Sequence, residues 1–130
     1  MPDALVDAAL AVRANAHAPF SNFRVGAAVE DRSGRIHTGC NIENATYGLT
    51  ICAERLAIFK AISDGVKPRE FHRVAVAADT DTLTPPCGAC RQILWEFCGD
   101  VEVVLVNPRG KSESCRMRDL FPRPFDVTYL

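Results

Sequence analysis

The sequence predicts an α/β domain built in layers around a central mixed sheet. Three observations carry this expectation. The predicted elements run hairpin, helix, strand, helix, strand, with a further helix ahead of them. Two short continuous apolar runs, residues 74–78 and 101–106, have the pattern of strands covered on both faces. A length of 130 residues with 48% hydrophobic content suits a sizeable core in one domain, expected to span residues 1–130.

Residues 4–16 are rich in Ala, Leu and Val at helical spacing and predict the first helix. Residues 23–29 read as a strand. Asp31-Arg32-Ser33-Gly34 is turn chemistry, and residues 35–39 return as the second strand of a hairpin. Residues 51–63 predict a helix apolar almost all round, which is normally buried, and Gly65 ends it. Strand 74–78 follows, and then a loop over 79–86. Residues 87–97 predict a second helix, with Pro86 near its start, where proline is favoured. Strand 101–106 completes the pattern. Right-handed crossovers would place these two helices on one side of the sheet with their N-termini adjacent. There is no internal repeat, low-complexity tract or linker.

Fifteen basic and sixteen acidic residues give a formal charge of −1. A polynucleotide-binding surface would show a basic excess. The only basic concentration is Arg116, Arg118 and Arg123, with Asp119 and Asp126 beside them, so a small substrate is expected and nucleic acid is not. No run of eighteen apolar residues exists, and residues 1–17 resemble neither a signal nor a transit peptide. A cytoplasmic location without membrane partners is expected. Six cysteines without a secretion signal read poorly as a disulfide framework. Cys98 and Cys115 are expected to be small buried apolar side chains, as is Cys40, although Cys40 adjoins Asn41 and could line a pocket.

The chemistry concentrates in Cys52-Ala53-Glu54-Arg55 and Pro86-Cys87-Gly88-Ala89-Cys90-Arg91. Cys52, Cys87 and Cys90 supply three thiolates for one zinc ion, which leaves a position open for water, as catalytic zinc sites do. Cys87 and Cys90 are three apart, so both sulfurs can face one point. With Glu54 as a proton carrier, this is the Cys₃ form of the zinc deaminase constellation. All four residues are expected in the first turns of their helices, where partial positive charge offsets the thiolates. Arg55 and Arg91 adjoin ligands and could donate to the sulfurs, Arg55 being the better placed in sequence. Cys-x-x-Cys alone would read as a structural zinc site. Pro86 and the separate Cys-Ala-Glu make it specific. Glu54 alone would read as a favourable helix-terminal charge.

These motifs, together with residues 20–28 and Gly39-Cys40-Asn41-Ile42-Glu43-Asn44-Ala45, resemble the short homotetrameric class of cytidine deaminases from about Phe20 to Phe125. The resemblance implies a three-layer α-β-α domain with a mixed sheet of about five strands. It implies one zinc per subunit on Cys52, Cys87 and Cys90, with Glu54 as proton shuttle and Arg55 offsetting thiolate charge. Asn41 and Glu43 would bind the ribose, and Phe23 would pack against the base. Ala45, Tyr47 and Phe125 would reach a neighbouring subunit's pocket, making a homotetramer with shared sites. For Asn41 and Glu43, residues two apart in an extended segment share a face, and an amide with a carboxylate can donate to and accept from hydroxyls. Ordinary core packing accounts for Phe23 equally well. The implied reaction is hydrolysis of cytidine, and of 2'-deoxycytidine, to the uracil nucleoside and ammonia, a step of pyrimidine salvage. The alternatives are a deaminase of a cytosine nucleoside antibiotic of the blasticidin S type, and a non-catalytic zinc-stabilised domain.

Overall fold

The computed structural model describes residues 3–130; residues 1–2 of the expected span lie outside the described residues. Five strands form one mixed sheet: β1 (Val25–Asp31), β2 (Ile36–Cys40), β3 (Phe71–Ala78), β4 (Glu102–Val106) and β5 (Ser112–Arg116). Their spatial order is β2-β1-β3-β4-β5. β3 and β4 run parallel and every other pairing is antiparallel. Helix α1 (Ala4–Arg13) covers one face. Its Leu5 and Ala9 pack on Ala28, Ala75, Ala77, Val104 and Val106. Helices α2 (Ala53–Ser63) and α3 (Gly88–Cys98) cover the other over a larger core of Val25, Ala27, Val29, Val74, Val76, Val103 and Leu105. The predicted three-layer architecture is therefore the observed one.

Strand residues alternate between the two cores because successive side chains point to opposite faces. The near-continuous apolar run of β3 follows from being covered on both. Two glycines let helices approach closely. A Cβ at Gly26 would lie 2.1 Å from the Ala9 carbonyl oxygen of α1. One at Gly39 would lie 2.5 Å from the Ala57 nitrogen and 2.6 Å from the Ala53 carbonyl oxygen of α2. The Asp31 carboxylate organises the β1–β2 turn. It accepts from the Ser33 and Arg35 amides and the Ser33 hydroxyl, and pairs with buried His37 at 2.9 Å.

Several expectations need correction. Helix α1 ends at Arg13 and not near 16. Helix α2 is not buried all round. Ala53, Ala57, Ile58 and Ala61 face the sheet, but Phe59 is 40% exposed, because no further layer among the described residues covers the outer side. β3 begins three residues earlier than predicted. β5 and a short helix, α4 (Met117–Leu120), were not expected. No helix among the described residues is long and apolar enough to cross a membrane.

Candidate active site

The two helix starts that carry the cysteine motifs meet at the C-terminal end of the parallel pair β3–β4. Helices α2 and α3 begin one residue later than their ligands require for a first-turn position. Cys52 and Cys87 are the N-cap residues, in extended conformation, while Glu54 and Cys90 lie in the first turns. Neither helix start has a side-chain cap, so the sulfurs face uncapped backbone N–H groups and the positive end of two helix dipoles. That environment favours thiolates.

The sulfurs of Cys52, Cys87 and Cys90 all lie within 4.8 Å of one another. Tetrahedral zinc with Zn–S bonds of about 2.3 Å sets its sulfurs ~3.8 Å apart, so modest rotamer changes let one ion touch all three. Arg55 fits the same charge balance. Its guanidinium donates to the Cys52 sulfur at 3.2 Å, and its Nε is a buried donor without a partner. Hydrogen bonding from Cys90 and then the Arg55 cation bring Cys52 down to about 5. Cys90, bonded to Cys52 and buried, holds its proton more tightly than an ordinary thiol. Metal binding at such a site requires deprotonated sulfurs, and zinc would draw the protons from them. Arg91 is not a sulfur donor. Its Nε donates to the Pro86 carbonyl at 2.7 Å and another of its nitrogens to the Leu120 carbonyl at 2.6 Å, which fixes the backbone just before Cys87.

Glu54 is 5% exposed, and its burial pushes the carboxyl up to about 7, with the Cys52 charge adding to the rise. It lines a cavity of about 180 Å³ with Phe23, Val25, Asn41, Cys52, Thr84 and Cys87. A second cavity of about 370 Å³, lined by Phe20, Ser21, Glu43, Tyr47 and Thr50, adjoins it through the shared Thr50.

The structure divides the sequence-predicted residues among these places. Cys52, Glu54, Cys87, Asn41 and Phe23 border the inner cavity, and Glu43 and Tyr47 the outer. Asn41 and Glu43 therefore open onto different cavities. The Asn41 amide is largely spent on the backbone: Oδ1 accepts from the Val25 nitrogen at 2.8 Å and Nδ2 donates to the Phe23 carbonyl at 2.7 Å. Glu43 accepts from the Phe20 and Ser21 amides and the Ser21 hydroxyl, which hold its carboxyl below the usual range, the hydroxyl first. Tyr47 is 74% exposed and meets Phe20 edge-on. Ala45 is exposed and borders neither cavity. Phe125 is 59% exposed and stacks on Tyr129 at 5.7 Å, away from both cavities. Cys40 is buried at the end of β2 and does not line the inner cavity; Cys98 is buried and Cys115 half-buried. Thr50, Thr84 and Pro85 border the inner cavity unanticipated. Their closeness to Cys52 and Cys87 in sequence was the only available signal.

A model of the cytidine and deoxycytidylate deaminase zinc-binding region matches residues 2–107. The cytidine deaminase of Sporosarcina psychrophila is 49% identical over 121 residues, covering 90% of this chain and 88% of that relative. The crystal structure of cytidine deaminase from Burkholderia pseudomallei superposes with a TM-score of 0.92 at 46% identity, covering 96% of this chain and all of that one. A blasticidin-S deaminase of Bacillus cereus is similar at the lower level of 31% identity over 104 residues, 75% of this chain and 74% of that relative.

Proposed function

The chain belongs to the cytidine and deoxycytidylate deaminase zinc-binding family, and from that premise we propose that it hydrolyses cytidine to uridine and ammonia. The observation that carries this reading is a buried carboxylate, Glu54, beside three convergent sulfurs at the floor of a small cavity.

The cavity's size bears on the substrate. Sites for drug-sized ligands run roughly 300–1,000 Å³. The inner space of about 180 Å³ takes a single ring, and the outer one adjoining it leaves room for a sugar. Phe23 would lie against the base. Asn41 holds the Phe23–Val25 backbone and keeps one amide N–H for the ligand, and Glu43 and Ser21 border the ribose space. Both sugar types fit this arrangement, so 2'-deoxycytidine is proposed as a second substrate.

Cys52, Cys87 and Cys90 would hold the zinc, which would supply Lewis acidity toward a water. Glu54 takes a proton from the attacking water and delivers it to the ring nitrogen next to the amine-bearing carbon. It then carries the second proton to the departing amine, so one water is consumed and one ammonia leaves per turnover. A raised carboxyl pKa suits an acid–base group that must both accept and give. The zinc dication would draw it down again, keeping the carboxylate ready for the first transfer.

A tetramer sharing its sites is the assembly we propose. Phe20, Tyr47, Leu49, Phe59, Phe125, Val127 and Tyr129 are large apolar side chains left exposed, and a second copy of the chain could cover them. Cytoplasmic pyrimidine salvage is the setting this reading implies. The direct test measures ammonia release from cytidine, deoxycytidine and blasticidin S, with and without a chelator. Cytidine turnover that chelation abolishes is expected. Release from blasticidin S alone would favour the antibiotic enzyme, and no release from any of them would favour a structural zinc domain.

A further inference from the structure

Part of the inner cavity's wall comes from an irregular loop, residues 79–86, which links β3 to α3. Thr84 and Pro85 of this loop border the cavity. The segment has no strand ladder of its own. Leu83 packs into the core, and Arg91 holds the Pro86 carbonyl at the far end. Apart from Arg13 of α1, whose guanidinium stands 4.0 Å from the Asp79 carboxylate, its remaining long-range polar anchors come from the turn between β4 and β5.

Asn107 is the centre of that turn and is 3% exposed. Its Oδ1 accepts from the Arg109 and Lys111 amides, both at 3.0 Å, which shapes the turn. Its Nδ2 points the other way and donates to the Thr80 carbonyl at 3.1 Å. The turn it shapes presents two further pins. Arg109 bonds the Asp79 and Asp81 carboxylates, and the Lys111 ammonium donates to the Asp81 carbonyl at 2.9 Å. Inside the loop, the Thr80 and Thr84 hydroxyls are 2.8 Å apart, so the pinned end is joined to the residue that borders the cavity.

We propose that Asn107 is a positioning residue for substrate binding: through Thr80 and Thr84 it fixes the cavity wall against which the pyrimidine lies. This rests on the reading of that cavity as the base site. A buried side chain whose oxygen builds the turn and whose nitrogen holds the loop separates two roles by atom. Exposed ion pairs alone would hold the loop weakly, and the buried amide supplies the anchor that water does not compete for.

The Asn107→Asp variant tests this because it keeps the turn-forming acceptor and removes the donor to Thr80. Loss of one such bond is expected to raise KM for cytidine about three- to tenfold. Turnover number should stay within about twofold and zinc per chain should be unchanged. Amide hydrogen exchange over residues 79–86 should quicken, while exchange in the β4–β5 turn keeps its parental rate. A purely structural role would lower thermal stability and leave KM alone. If Asn107→Asp does not fold, Thr80→Val removes the hydroxyl contact with Thr84 through which the pinned end reaches the cavity wall, and it should raise KM and quicken loop exchange in the same direction. Parental KM or parental loop exchange overturns the proposal. A parent enzyme without cytidine turnover would overturn the functional reading instead, and loop exchange alone would then decide whether Asn107 anchors the wall.

Discussion

Glu54 is the residue on which the proposed chemistry turns. Glu54→Gln keeps the shape of a side chain that is almost fully buried, so fold and zinc content should match the parent. The amide cannot carry protons, and turnover should fall by roughly 10²–10⁴-fold, the usual share of a general acid–base group, or more where one group serves several transfers. Near-parental turnover would remove Glu54 from the mechanism. Asp31 gives a residue-scale prediction about stability. The His37 contact, the Ser33 hydroxyl and two backbone amides hold its carboxyl well below the ordinary range. A depressed carboxyl pKa contributes stability above its unfolded value near ~3.9, and that contribution disappears as pH falls through the folded value. Asp31→Asn should therefore cost about 1.5–3 kcal/mol at neutral pH. The gap to the parent should narrow progressively below about pH 4 in denaturant titrations.

Among the elements, α2 depends most on close approach. Gly39 of β2 leaves no room for a methyl group against Ala53 and Ala57. Gly39→Ala should push the start of α2 away from the sheet, cost about 1–3 kcal/mol or more by overpacking, and lower kcat/KM, since Cys52 and Glu54 ride on that helix. Unchanged thermal stability and kinetics would mean that the helix yields easily. Most elements were legible from sequence because their apolar content matches their packing: α1 by spacing, α2 by its high apolar content, β3 and β4 by unbroken apolar runs. β5 was not legible. Ser112–Arg116 is an edge strand whose side chains are exposed except for half-buried Cys115, so no hydrophobic signal marks it. The helix starts at 53 and 88 were placed one or two residues early because Cys52 and Cys87 are extended caps, and cap geometry is not visible in an apolar count.

For the whole molecule, the convergence of Cys52, Cys87 and Cys90 was legible because coordination dictates such spacing, whereas the surfaces beyond one chain were not. Phe125, Tyr47 and Ala45 touch neither the metal cluster nor the inner cavity of their own chain. The tail that carries Phe125 is held to α3 by Gln92 on the Phe125 carbonyl and by the Trp95 indole on Asp126. Phe125→Ala should leave zinc content intact and lower kcat/KM for cytidine, with the parent eluting as a tetramer in light scattering. A fully active monomer at assay concentration would show that each chain completes its own site.

All six cysteines are free of disulfides, yet the chain has a place for a cross-link. A zinc ion shared by Cys52 and Cys87 would tie together two points about 35 residues apart along the backbone. In polymer terms, closing a loop of that length removes freedom from the unfolded chain worth about 4 kcal/mol. Such a bridge opens by ligand competition and not by electron transfer. Its strength would then track the free zinc level, with thermal midpoints rising with the logarithm of metal concentration and unmoved by a non-chelating phosphine reductant.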